Sequence, residues 1–260
     1  MSRLTRRALL ARIGVAAAGL ASLPAADALA LGEAPVGAAR LAIPGLKDPR
    51  PGALKAVLME VGENSSVDPL LEVPHVAPES QDLFAWPFVA LIGDAGFDPL
   101  SEDAVANLRL YLREGGFLFI DDATGVRDSA FDASVRRDLA RILPGSELTR
   151  IGREHAIYRS FFLMRGAVGR IAVRPYLEGL WVGDITPVLY SSNDLSGAWL
   201  KGADGRYALE VIPGGEAQRK EARKLGINLV LFGLTSNYKR DAVHVRELLK
   251  RMRRQGGYEQ

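Results

Sequence analysis

The chain has 260 residues, 48% of them hydrophobic and 25% charged, with a formal net charge of +2; this balance is near the globular average and excludes an intrinsically disordered chain. The positive excess lies toward the two ends, in Arg3, Arg6, Arg7 and Arg12 and in Lys250, Arg251, Arg253 and Arg254, so the body between them is near neutral and no nucleic-acid partner is expected. There is no cysteine, which removes a disulfide framework, a thiolate zinc site and a cysteine nucleophile together.

At the N-terminus, Arg6-Arg7 precede a run rich in Ala, Leu, Val and Gly, and Ala28-Leu29-Ala30 supplies small residues at signal-peptidase spacing. Residues 1–30 therefore read as a twin-arginine signal peptide, with the mature chain expected in the periplasm or otherwise exported. The alternative is an uncleaved anchor in the inner membrane, the only case in which membrane contact is expected. Against it, the stretch from Ala8 to Leu23 is short for a bilayer and is interrupted by Arg12. Residues 31–51, rich in Pro, Gly and Ala, read as a flexible linker, and residues 52–254 as a single α/β domain.

Within that domain, Leu54–Val61 reads as a strand ended by Gly62, and the Ser-, Pro- and Asp-rich segment after it as loop. Leu83–Ile92 is a nearly continuous apolar run, the pattern of a strand buried on both faces, with Pro87 making its first half irregular. From Ser101, a plausible N-cap followed by Glu102 and Asp103, the spacing of Val105, Leu108 and Leu112 predicts a helix that Gly115-Gly116 ends. Phe117–Ile120 then reads as a central strand, completing a βαβ unit of the kind that builds parallel sheets. A second amphipathic helix is expected over Ala133–Leu143. Arg150 to Tyr190 reads as short strands and turns. Beyond them come a helix over Ala217–Leu225 closed by Gly226, a buried strand over Ile227–Phe232 and a basic helix over Ala242–Met252.

Several blocks together resemble a known family: LFAWPFVALIG at 83–93, LSEDAVANLRLYLREGGFLFIDD at 100–122, FDASVRRDLARILPGSEL at 131–148, HAIYRSFF at 155–162, LYSSNDLSGAW at 189–199 and ARKLGINLVLFGLT at 222–235. They are similar to the domain of unknown function 4159, whose fold resembles class I glutamine amidotransferases. The resemblance implies a flavodoxin-like three-layer α/β sandwich with a mainly parallel central sheet, and it implies no activity. In that family the first long strand runs into Thr-Gly-His, where this sequence has Ile92-Gly93-Asp94. The segment before Leu83 also reads as less helical than in the family.

In an open parallel sheet, ligands bind beyond the carboxyl ends of the strands. Asp94, Asp121, Asp122, Asn193 and Asp194 all follow predicted strands and are expected to converge on one rim. Asp121 and Asp122, being adjacent, face opposite ways; each is a candidate general base or, alternatively, part of a capping or loop hydrogen-bond network. His155 is the third catalytic candidate, with a capping role as its alternative. Asp94, Asn193, Asp194 and Trp199 are the binding candidates. No metal set is expected from His75 and His244, which form no His-x-x-x-His pair, and no cofactor is expected because there is no Gly-x-x-x-x-Gly-Lys or Gly-x-Gly-x-x-Gly. Amidotransferase chemistry lacks its thiolate, and no Gly-x-Ser-x-Gly elbow replaces it. Two functions remain: a non-catalytic binding or assembly module of the cell envelope, engaging an envelope protein or small ligand, and a hydrolase of envelope carbohydrate or peptide using Asp121, Asp122, Asp194 and His155, with or without a divalent metal.

Overall fold

The computed structural model describes the backbone of residues 36–255 and the side chains of residues 36–235; the expected signal peptide lies outside the described residues. Seven strands form one sheet: β1 (Ala38–Leu41), β2 (His75–Val76), β3 (Phe88–Gly93), β4 (Phe117–Asp122), β5 (Thr149–Arg150), β6 (Glu178–Val182) and β7 (Ile185–Ser191), in the order β2-β1-β3-β4-β7-β6-β5. The first five in that order run parallel; β6 pairs antiparallel with β7, and β5 antiparallel with β6. The two-residue loop Gly183-Asp184, with Gly183 at φ 60°, reverses the chain from β6 into β7. The sheet is flanked by helices on both faces, consistent with a flavodoxin-like sandwich.

Alternation along the strands divides the core. Val89, Leu91, Leu118 and Ile120 face α2 (Glu102–Arg113) and α3 (Ala130–Ile142), whereas Phe88, Ala90, Phe117 and Phe119 face α1 (Ala53–Asn64), α4 (Leu195–Trp199) and α5 (Gly215–Gln255). With both faces covered, β3 and β4 are buried at every position, which explains their unbroken apolar runs. The two helices that follow are capped as serine chemistry dictates: Ser101 Oγ accepts from the Ala104 amide and Ser129 Oγ from the Asp132 amide. Pro87 separates a 3-10 turn over Gln81–Ala85 from β3.

Three expectations fail. The expected flexible linker contains β1, all four residues of which are buried, with β2 and β3 on either side; small Ala38 and Ala39 gave little apolar signal. Leu54–Val61 is helical, not extended. Its buried Leu54, Val57, Leu58 and Val61 fall at i, i+3, i+4 and i+7, and three consecutive residues, Ala56 to Leu58, are buried, which a strand with one covered face does not allow.

Near the C-terminus, Gly226 does not close a helix and Ile227–Phe232 is not a strand; both lie inside the continuous α5, as does the backbone of Ala242–Met252. Leu225 to Leu231 is buried on every side, and a short apolar run buried all round carries no period to tell helix from strand. Gly226 is needed for close approach instead: a Cβ there would meet the Trp199 indole at 2.7 Å. Asn228, fully buried, anchors the helix to the preceding loop by accepting from the amides of Phe161 and Phe162 and donating to the carbonyls of Ile157 and Phe162.

At an unobstructed mid-helix site Gly→Ala stabilises by about 1 kcal/mol, but overpacking a core costs about 1–3 kcal/mol. Gly226→Ala is therefore expected to lower the thermal midpoint by several degrees, read by circular dichroism at 222 nm; a raised midpoint would contradict the helix–indole contact.

Candidate functional site

The carboxyl ends of β3, β4 and β7 lie side by side: Gly93 is in register with Asp122, and Asp121 with Ser191. Three of the expected carboxylates meet there, and all three are turned inward. Asp121 is fully buried; its Oδ1 accepts from the Leu195 amide at 2.9 Å, and its Oδ2 from the Ser196 amide at 2.7 Å and the Ser196 hydroxyl at 2.6 Å. It thus holds the first turn of α4 onto the end of β4. Burial, with the Asp194 charge nearby, pushes its carboxyl up to about 6 against the pull of these donors.

Asp122, pointing to the other face, accepts from the Thr124 amide and hydroxyl at 2.9 and 2.5 Å, the Ser129 hydroxyl at 2.6 Å and the Tyr190 hydroxyl at 3.2 Å. Because Ser129 is the cap of α3, Asp122 fixes the connection from β4 into that helix. The capping and loop-network alternative is what the geometry supports for this pair.

Asp194 joins the strands to the loops. It sits between β7 and α4 in the left-handed conformation, φ 48° and ψ 54°, and caps α4 by accepting from the Gly197 amide at 3.1 Å. Its fully buried carboxylate receives a bidentate pair from Arg50, Nε at 2.9 Å and Nη2 at 2.7 Å, and a further contact from Arg170 Nε. Arg50 also donates to the carbonyls of Pro49 and Ala123. Burial opposes the Arg50 charge, but Asp194, with Asp121 and Asp94 at longer range, raises its pKa above the ordinary value.

The remaining candidates divide. Asp94 is exposed at the end of β3, on the same rim. Asn193 is buried and structural: its Oδ1 accepts from the amides of Val173 and Arg174, and its Nδ2 donates to the Arg174 carbonyl. Trp199 belongs to the core, its Nε1 bonded to the Ala222 carbonyl and its ring 6.2 Å from that of Phe119.

His155 is not part of this group. It lies against Thr186 near the start of β7, whereas Asp194 follows the strand's end; at about 3.3 Å per residue the five residues from Thr186 to Ser191 span roughly 16 Å. It caps a 3-10 turn over Ala156–Arg159. Its Nδ1 accepts from the Ile157 amide at 3.2 Å, so the proton is on Nε2 and is donated to Thr186 Oγ1 at 3.1 Å. The structure therefore does not bring the His155 imidazole together with the three carboxylates. Among the described residues no group of three or more His, Asp or Glu side chains is placed to hold a metal ion.

What sequence reasoning missed is the open part of the rim. A pocket of about 290 Å³ lies beside the carboxyl end of β1, lined among others by Arg40, Asp48, Arg50, Lys55, Glu72 and His75. Arg40, only 5% exposed, donates from Nη2 to the Ile92 carbonyl at 2.5 Å and pairs through Nε with Asp48 at 3.1 Å. The signal was present: Lys47-Asp48-Pro49-Arg50-Pro51-Gly52 concentrates charge and turn residues immediately before four apolar residues at helical spacing.

The family model described as "Domain of unknown function (DUF4159)" matches residues 42–234. No curated protein matches the chain.

Burial holds the His155 pKa below 6.5. A depressed histidine contributes stability that is present above the unfolded-state pKa and lost as pH falls through the folded one. The stability of the wild type relative to His155→Gln is therefore expected to shrink from pH 7.5 to pH 5 in urea titrations; a constant or growing difference would contradict the neutral cap.

Proposed function

The chain belongs to the domain-of-unknown-function family whose model spans most of its length, and we propose that it is an exported, non-catalytic binding or assembly module of the bacterial cell envelope, with a flavodoxin-like, class I glutamine amidotransferase-like sandwich lacking the nucleophile. The parallel strand order β2-β1-β3-β4-β7 supports the fold assignment. The observation that carries the functional reading is the state of the three buried carboxylates. A general base or nucleophile needs an accessible lone pair within about 3 Å of the reacting atom. The oxygens of Asp121, Asp122 and Asp194 already accept hydrogen bonds from the protein, and none of the three residues is more than 1% exposed.

Amidotransferase chemistry calls for a thiolate on a strained strand-to-helix turn. The chain has no cysteine, and the positive-φ residue between β7 and α4 is Asp194, locked between two arginines. The polar surface left open is a pocket, which suits recognition of a partner or ligand. Export rests on Arg6-Arg7 and Ala28-Leu29-Ala30.

Two measurements test this reading. The mature chain recovered from the periplasm is expected to begin at Leu31 by intact mass, and Arg6→Lys with Arg7→Lys to leave the precursor in the cytoplasm; an uncleaved chain in the membrane fraction would support the anchored alternative. The purified mature chain is expected to show no turnover of glutamine or of peptide, ester and glycoside substrates. Turnover that co-purifies with it and disappears in a folded Asp122→Asn variant would overturn the non-catalytic assignment.

A further inference from the structure

We propose that the pocket at the carboxyl end of β1 binds a small hydroxylated molecule through an oxyanion, a phosphate or carboxylate group, received between Arg40, Lys55 and the first turn of α1. The inference rests on the binding-module reading and names the chemical class of its ligand.

Three independent features meet in this pocket. Its position is the first. From β1 the chain crosses to β2 on one side, while β3 lies on the other, so the pocket stands where the strand order reverses and a crevice opens. The second is the start of α1, a helix of 12 residues. Gly52, at φ 86°, supplies no side-chain cap, and the first turn holds no acidic residue. The Ala53 amide is bonded to the Arg50 carbonyl, while Leu54 and Lys55, the next residues of that turn, both line the pocket. An uncapped helix N-terminus presents amide donors and positive potential to an anion.

Arg40 is the third. This lining residue is 95% removed from solvent, yet its Nη1 has no hydrogen-bond partner; among the described residues it shares that condition only with Arg137 Nε. Buried polar groups are nearly always paired, so an unpaired guanidinium nitrogen on a residue that lines a cavity points to an acceptor supplied from outside the chain. Burial lowers the pKa of Arg40 from its ordinary value, and Asp48 offsets part of that effect, so a second anion beside this cation is favourable.

The charges fit one negative group. Arg40, Arg50 and Lys55 line the pocket with Asp48 and Glu72, an excess of one cationic side chain over the carboxylates. Arg50 contributes field only, since its nitrogens are all engaged by Asp194, Pro49 and Ala123. Asp48 and Glu72 are acceptors for ligand hydroxyls. The volume of about 290 Å³ is at the lower end for small-molecule pockets.

Calorimetric titration of the mature chain with glucose 6-phosphate, glucuronate, inorganic phosphate and glucose tests the site. One of the two charged sugars is expected to bind, and which one does so identifies the oxyanion; glucose is expected not to bind. Exposed Lys55 can be reversed without disturbing the core, so Lys55→Glu is expected to keep the thermal midpoint while weakening binding by about tenfold or more. Arg40→Lys, which retains charge but removes Nη1, is expected to weaken it comparably. No heat from any charged probe up to about 10 mM, equal binding of glucose, or binding unchanged by Lys55→Glu would each overturn the site. Turnover in the presence of intact anion binding would sink the non-catalytic reading and leave the site standing; a catalytically silent chain that binds no oxyanion would sink the site alone.

Discussion

The Asp194 carboxylate is the constraint on which the rest of this rim depends. It is fully buried and pairs with two partly exposed arginines far apart in the sequence, Arg50 from the loop after β1 and Arg170 from the loop before β6. A charge so placed is tolerated only when fully paired, and removing one member of such a group leaves the others uncompensated. By holding Arg50, Asp194 ties the β1 loop to the end of β4, because the same guanidinium also reaches the Ala123 carbonyl. By capping α4 it positions the amides that Asp121 receives. Loop, strand end and helix start are therefore one cooperative unit, and its polar atoms are directed at one another.

This inward turning shifts the open chemistry toward β1. The carboxylates that first draw attention in the sequence have their donors; the cations of the β1 loop and of β1 itself line the cavity. Arg50 lies at the boundary, anchoring the loop on one side and adding positive potential to the pocket on the other. On the binding-module proposal, a loop fixed beforehand in this way loses less ordering entropy when a ligand binds.

How much of this was legible in the sequence depended on the length and regularity of each signal. β3, α2, β4 and α3 were readable because their burial is periodic or continuous over long stretches and their caps are serines in the expected places. β1 was lost because four residues, two of them alanine, carry too little apolar weight to separate a buried strand from a linker. α5 reads in the sequence as a helix, a strand and a second helix, and Gly226 as a stop, when its missing side chain makes room for Trp199. Asp121, Asp122 and Asp194 were correctly placed on one rim, and the opposite orientations of the adjacent pair follow from the pleat. Their partners Arg50 and Ser196 are set by long-range pairing that no local pattern encodes, and His155 fell at the far end of β7 for the same reason. The Arg40 pocket was hidden with β1.

The central claim is that the buried carboxylates serve structure and not reaction, and the sign of one substitution separates the two. Asp194→Asn keeps shape, the left-handed preference and a capping oxygen while removing the charge. If the carboxylate is a structural hub, equilibrium unfolding in urea will show a clear loss of stability, because two partly exposed arginines are left facing each other without their carboxylate. A strained reactive carboxylate would behave in the opposite way, since neutralising it relieves the protein; unchanged or increased stability of Asp194→Asn would contradict the account.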